Sequence, residues 1–126
     1  MKGAADIESY LLKVGIPFDP IAPDIWNLNA EHGNLLVSIA GPVVVFRTKV
    51  MDLPPTNREA LFEALLRLNT TDMIYGAFGI EDGSVVIVNA LALENLDFNE
   101  FSAVIDDFSM AVSKHYPALS KFRAAA

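Results

Sequence analysis

The sequence predicts an α+β fold: one mainly antiparallel five-stranded sheet with helices packed on it. Three observations carry this. Apolar residues recur at three- and four-residue spacing in three separate segments, and alternating β-branched runs lie between them. The connections between those runs are short, which favours antiparallel neighbours. The element order reads α-β-β-β-α-β-β-α. At 126 residues the chain makes one domain, 1–126, because a chain of this length buries roughly two thirds of its unfolded surface in a single core.

The first helix is set by Ala4, Ile7, Leu11 and Val14, which share one face, and Gly15 with Ile16-Pro17 stops it. In "FDPIAPD" two prolines cannot donate to a ladder, so the segment reads as an extended connector into a strand over 25–30, where Trp26 and Leu28 share a side. A turn at "EHGN", the strand "LLVSIA", a turn at "GP" and the strand "VVVFRTKVM" complete a meander. By the two-residue period, Val43, Val45, Arg47 and Lys49 share one face, and Val44, Phe46, Thr48 and Val50 the other.

In "LPPTNREALFEALLRLN", Thr56 and Glu59 have capping-box spacing and Glu63 and Arg67 can pair one turn apart. The leucine and phenylalanine stripe is wider than one sheet contact requires. In "GAFGIEDGSVVIVNALAL", Asp82-Gly83 fit the centre of a type I′ turn. That register pairs Ile80/Val85, Phe78/Ile87 and Ile74/Leu91 on one face, and Gly79/Val86, Ala77/Val88 and Tyr75/Ala90 on the other. Neither face is patterned for water. Asn89 falls opposite Gly76 on the oilier face, where an amide needs a backbone, ligand or subunit partner. The last helix opens with Asp97 as N-cap, Glu100 three residues on and Leu96 with Phe101 at staple positions. Its stripe runs from Phe101 through Val112, and Pro117 ends the regular pattern before a short alanine tail.

Composition narrows the function. Nine basic against sixteen acidic residues give a net charge of −7, which repels a phosphate backbone and argues against nucleic acid as partner. With no cysteine there is no disulfide or thiolate metal site, which fits the cytoplasm, and charges interrupt every apolar run before the roughly 20 residues a membrane helix needs. Hydrophobic residues make up 52% of the chain, above the usual range of about 45 to 50%, so some are expected at an interface.

Catalytic patterns are weak. His32 and His115 have no metal spacing, and Asp106-Asp107 diverge by roughly 100° on a helix, which reads as a solvated face. Ser38, Ser84, Ser102 and Ser109 lack a nucleophile elbow, and Gly76, Gly79 and Gly83 lie in a strand and its turn rather than a phosphate loop. No catalytic, metal or cofactor site is assigned.

The element order joins "LLRLN" at 65–69, "GAFGIEDGSVVIVNALALENLDFNEF" at 76–101 and "HYPAL" at 115–119. Together they resemble the YbjN-like family, which is similar in fold to the type III secretion chaperones. The resemblance implies a homodimer without enzymatic activity that acts as a regulator or, like the chaperones, holds an extended segment of a partner protein on apolar patches. Leu65, Leu66, Leu68 and Asn69 match the family's helix-end motif, and Gly79, Asp82 and Gly83 its hairpin turn; these are fold residues. No residue names a client or a secretion system.

Surplus hydrophobicity assigns Leu61, Phe62, Leu65, Leu66, Tyr75 and Ala77 to a dimer interface, and Trp26, Leu28, Leu36, Val44 and Phe46 to partner binding through the sheet. The alternative is a small-molecule sensor or enzyme with a pocket between sheet and helices, touched by Asn89 or Tyr75.

Overall fold

A computed structural model describes residues 2–30 and 33–123. The expected turn at Glu31 and His32, His32 itself and the alanine tail lie outside the described residues. The elements are α1 (Ala4–Val14), β1 (Phe18–Ala22), β2 (Ile25–Ala30), β3 (Gly33–Ala40), β4 (Val43–Asp52), α2 (Arg58–Thr71), β5 (Ala77–Glu81), β6 (Ser84–Ala92) and α3 (Phe98–Arg123). The described strands form one antiparallel sheet in the order β1-β2-β3-β4-β6-β5.

The sheet therefore has six strands, not five. The segment expected as a connector is β1, which pairs Phe18 with Leu28 and Pro20 with Trp26 and carries an irregularity between Pro20 and Ala22. Proline is excluded from the middle of a sheet but tolerated at its margin, where its missing N–H would have faced solvent. β1 is that margin.

α1 follows its predicted pattern. Asp6 accepts the Gly3 N–H at 2.9 Å, and Gly15, at φ 83°, donates its N–H to Leu11 O at 3.2 Å and closes the helix. α2 departs from expectation at its start. It begins at Arg58 behind Asn57, which sits in the left-handed region at φ 60°, and the Thr56/Glu59 box does not form. The Arg58 guanidinium instead donates to Pro54 O at 2.7 Å.

α3 opens on the predicted reciprocal cap: Glu100 N–H donates to Asp97 Oδ1 at 2.8 Å, and Asp97 N–H to Glu100 Oε1 at 3.3 Å. Its end was misplaced by the sequence pattern. Pro117 lies inside the helix, which continues to Arg123. Proline withholds one N–H from the Ser113 carbonyl, while buried Leu119 and the packed Phe122 hold the last turns on the core.

The β5–β6 register is as expected from Ala77/Val88 to Glu81/Ser84, around a turn with Asp82 at φ 50° and Gly83 at φ 75°. β5 starts only at Ala77, so the expected pairs Ile74/Leu91 and Tyr75/Ala90 do not form. Asn89 pairs with Phe46, not Gly76, and is half-buried within reach of water.

One core joins all three helices to one sheet face. Trp26, Leu28, Leu35, Val37, Val44, Phe46, Val85 and Ile87 meet Ile7, Leu11, Leu61, Leu65, Phe101, Ile105 and Phe108. The Phe46 ring packs between Phe101 and Phe108, with centroids 5.3 and 6.3 Å away. A register shift between Lys49 and Met51 turns Met51 into the core and ends the simple alternation of β4.

Candidate interaction surface

The two-residue period that sends Val44 and Phe46 inward sends Val43 and Val45 outward, opposite Ala40 and Ser38 on β3 and Ala92 and Ala90 on β6, while Leu36 and Val88 flank Arg47 and Val86 lies opposite Lys49. The helices pack on the opposite face, and these residues are not part of the core cluster. On β5, a side chain added at Gly79 would meet no atom within 4 Å, and Ala77 and Ala90 are exposed. The outer sheet face is therefore made of small and half-buried apolar residues with Arg47 and Lys49 set among them, and no helix of the core packs on it.

Charge lies on this face at Arg47, between Leu36 and Val88, and at Lys49, opposite Val86. Arg47 Nε lies 3.0 Å from Glu81 Oε1, although its N–H is not aimed at that oxygen and makes no hydrogen bond. The contact is Coulombic and partly screened. The strand register takes the Arg47 side chain diagonally past Val86, which accounts for Val86 being buried without a helix above it. At the far end Asn29 donates to Asp19 and Asn27 to Asn29, a polar border.

A second surface lies on α2 and the loop to β5. A shallow open groove of about 690 Å³ follows the outer side of α2, lined by Phe62 and Leu66 with Glu59, Glu63, Arg67 and Thr70. Leu66 is 67% exposed, Ile74 78%, Tyr75 45% and, one turn along α3 from Asp107, Met110 69%. Single exposed hydrophobics need no explanation; a cluster around one loop does.

That loop is fixed from three sides. The Asn69 amide bonds both backbone groups of Phe78, Asp107 accepts the N–H groups of Tyr75 (3.2 Å) and Gly76 (3.4 Å), and Lys114 Nζ lies 2.9 Å from Asp72 Oδ2. His115, read from sequence as structural or incidental, is buried in a T-shaped contact with Phe78, its Nε2 3.7 Å from Asp72 Oδ2. The Thr71 hydroxyl, then Lys114, hold the Asp72 carboxyl below its ordinary range. Asp107, expected on a solvated face, is half-buried and bonded to backbone.

The residues assigned from sequence divide accordingly. Trp26, Leu28, Val44 and Phe46 are buried under the helices and offer no surface, because the largest side chains of the meander are also the ones the core needs; Leu36 alone of that set lies on the open face. Leu61 and Leu65 are core residues, whereas Phe62, Leu66, Tyr75 and Ala77 are reachable from outside. Val45, Val86 and Val88 were overlooked, although the alternation of β4 and β6 already set them apart. Ile80, expected on a buried face, is 51% exposed near the hairpin tip.

Among the described residues no group of three or more His, Asp or Glu could hold a metal ion, and no helix is long and apolar enough to cross a membrane. Between sheet and α3, the void lined by Leu35, Thr48, Phe108 and Val112 is about 20 Å³, and a more open groove of about 450 Å³ is lined by Lys49 and Val50 of β4 and Val112, Ser113, Tyr116 and Pro117 of α3.

The six-stranded antiparallel sheet with three helices on one face is similar to chaperone folds. The chain belongs to the CesT_Tir_1 family, a type III chaperone family, whose model matches residues 2–125. It is a chaperone-type binding protein. Among solved structures it is similar to YbjN from E. coli, a candidate transcription regulator, with TM-score 0.69, 13% identity and 93% of each chain covered. It is also similar to the HopA1–SchA chaperone–effector complex, with TM-score 0.60, 12% identity, and 86% of this chain and 85% of that one covered. At these identities the likeness establishes the fold. No curated protein matches the chain in sequence.

Proposed function

We propose that the protein is a non-enzymatic homodimer of the cytoplasm that holds an extended segment of a partner protein on its open sheet face. One observation carries this reading: Leu36, Val43, Val45 and Val88 are half-buried apolar residues on a sheet face over which no helix packs, with Arg47 between Leu36 and Val88. An extended chain suits such a surface, since side chains at alternate positions can seat between small residues such as Ala77 and Gly79. The family assignment and the chaperone in the HopA1–SchA complex support a protein client.

Self-association is assigned to the outer side of α2 and the Ile74–Tyr75 loop. Glu59 and Glu63 precede Arg67 along this side. Glu63 and Arg67 pair with each other at 3.0 Å, and two copies packed antiparallel about a two-fold axis would bring these pairs together around Phe62 and Leu66. A regulator of the YbjN type would use the same two surfaces with a regulatory protein in place of a client.

The test is site-specific photo-crosslinking in the native cell, with the probe at Val45 or, as control, at exposed Leu12 on α1. A discrete adduct at Val45 that is lost in Leu36→Asp, with the variant still folded, is the expected result. Equal adducts at both positions would contradict the reading, and fractionation of the same cells checks the compartment.

A further inference from the structure

We propose that Asp107 is a positioning residue for self-association: from α3, its carboxylate clips the α2–β5 loop and so presents Ile74 and Tyr75 in a fixed conformation. The inference rests on the dimer reading above and deepens it.

The loop runs close against α3 at one point. A side chain at Gly76 would stand 2.7 Å from Ile87 Cγ2 and 2.8 Å from Phe108 Cε1 and would have to push one of them aside. That approach brings the residue before Phe108 under the loop backbone, where Asp107 accepts from both Tyr75 and Gly76. Asp107 touches no exposed apolar side chain of the cluster in these bonds. Its bonds go to backbone groups immediately beside the two residues displayed, Ile74 and Tyr75. Such a group acts by lowering the ordering cost that a free loop would incur on association. Lys114 on Asp72 and Asn69 on Phe78 fix the two ends of the same segment, so Asp107 is the tie at its middle.

Amide hydrogen exchange and sedimentation of the full chain test this together. Asp107→Ala removes the acceptor, and Asp107→Ser leaves a side chain too short to reach either N–H. Both are expected to speed exchange at Tyr75 and Gly76, leave β6 amides protected and raise the dimer dissociation constant roughly tenfold. Asp107→Asn keeps an acceptor oxygen and is expected to restore the wild-type constant to within about threefold, while Asp106→Ala changes neither readout. Faster exchange with an unchanged constant would overturn the positioning role alone, as would unfolding of both the Ala and Ser variants. A wild-type monomer would overturn the association reading and this inference with it.

Discussion

The Asn69 side chain is bonded to Phe78 at both ends of its amide: Nδ2 donates to Phe78 O at 3.1 Å, and Phe78 N–H donates to Oδ1 at 2.7 Å. Phe78 lies in β5, the last strand of the sheet, so its outward backbone groups have no further strand to pair with. Asn69 supplies what that strand would. The helix-end motif noticed in sequence at 65–69 thus has a physical role.

Replacing Asn69 by Ala is expected to cost about 1 to 3 kcal/mol, because two backbone groups lose their partner together. Asn69→Asp should do no better, since it keeps an acceptor but turns a second oxygen toward the Phe78 carbonyl. Urea denaturation followed by the fluorescence of Trp26, the single tryptophan, measures both.

Gly76 and Gly79 lie three residues apart and should respond oppositely to alanine. Gly76→Ala forces Ile87 or the Phe108 ring aside and is expected to destabilise by about 1 to 3 kcal/mol. Gly79→Ala enters open space and should stay within about 0.5 kcal/mol of wild type. Thermal unfolding of the pair decides it.

Leu65 and Leu66 are neighbours with different tasks. Leu65→Asp buries a charge in the core and should abolish or severely weaken folding, by upward of about 4 kcal/mol. Leu66→Asp sits on the exposed side, so the circular dichroism spectrum and unfolding midpoint of the monomer should be kept while the dimer dissociates.

The Asp72 carboxyl is held below its ordinary value of 3.8 by the Thr71 hydroxyl and Lys114. A carboxyl whose folded pKa is depressed stabilises the fold above its unfolded value and loses that contribution as pH falls from there through the folded value. Stability should therefore decline below about pH 3.8, and Asp72→Asn should flatten that limb by lowering the plateau above it. Acid titration of unfolding checks the sign.

Local chemistry made several elements legible in the sequence. Asp82-Gly83 set a turn and with it the register of Ala77 to Glu81, and Asp97 with Glu100 set the start of α3, because each feature depends only on residues a few positions apart. Proline misled twice. Pro20 suggested no strand where an edge strand was possible, and Pro117 suggested a stop where Leu119 and Phe122 still had a core to join. Both outcomes depend on distant packing.

Which apolar residues stay outside the core was not legible in the sequence. Trp26 and Phe46 resemble binding anchors, but the same size that suggests an anchor suits a core, and the alternation of β4 could not say which face the helices would take. Asp107 could not be found at all, since its bonds to Tyr75 and Gly76 span more than thirty residues.

The central claim is that apolar surface on this chain is covered by another copy of itself and by a partner. Sedimentation equilibrium of the wild-type protein at micromolar concentration tests it most directly: the account predicts a species of twice the 13.7 kDa chain mass that Leu66→Asp reduces to one. A wild-type protein that stays at 13.7 kDa across that range would contradict it.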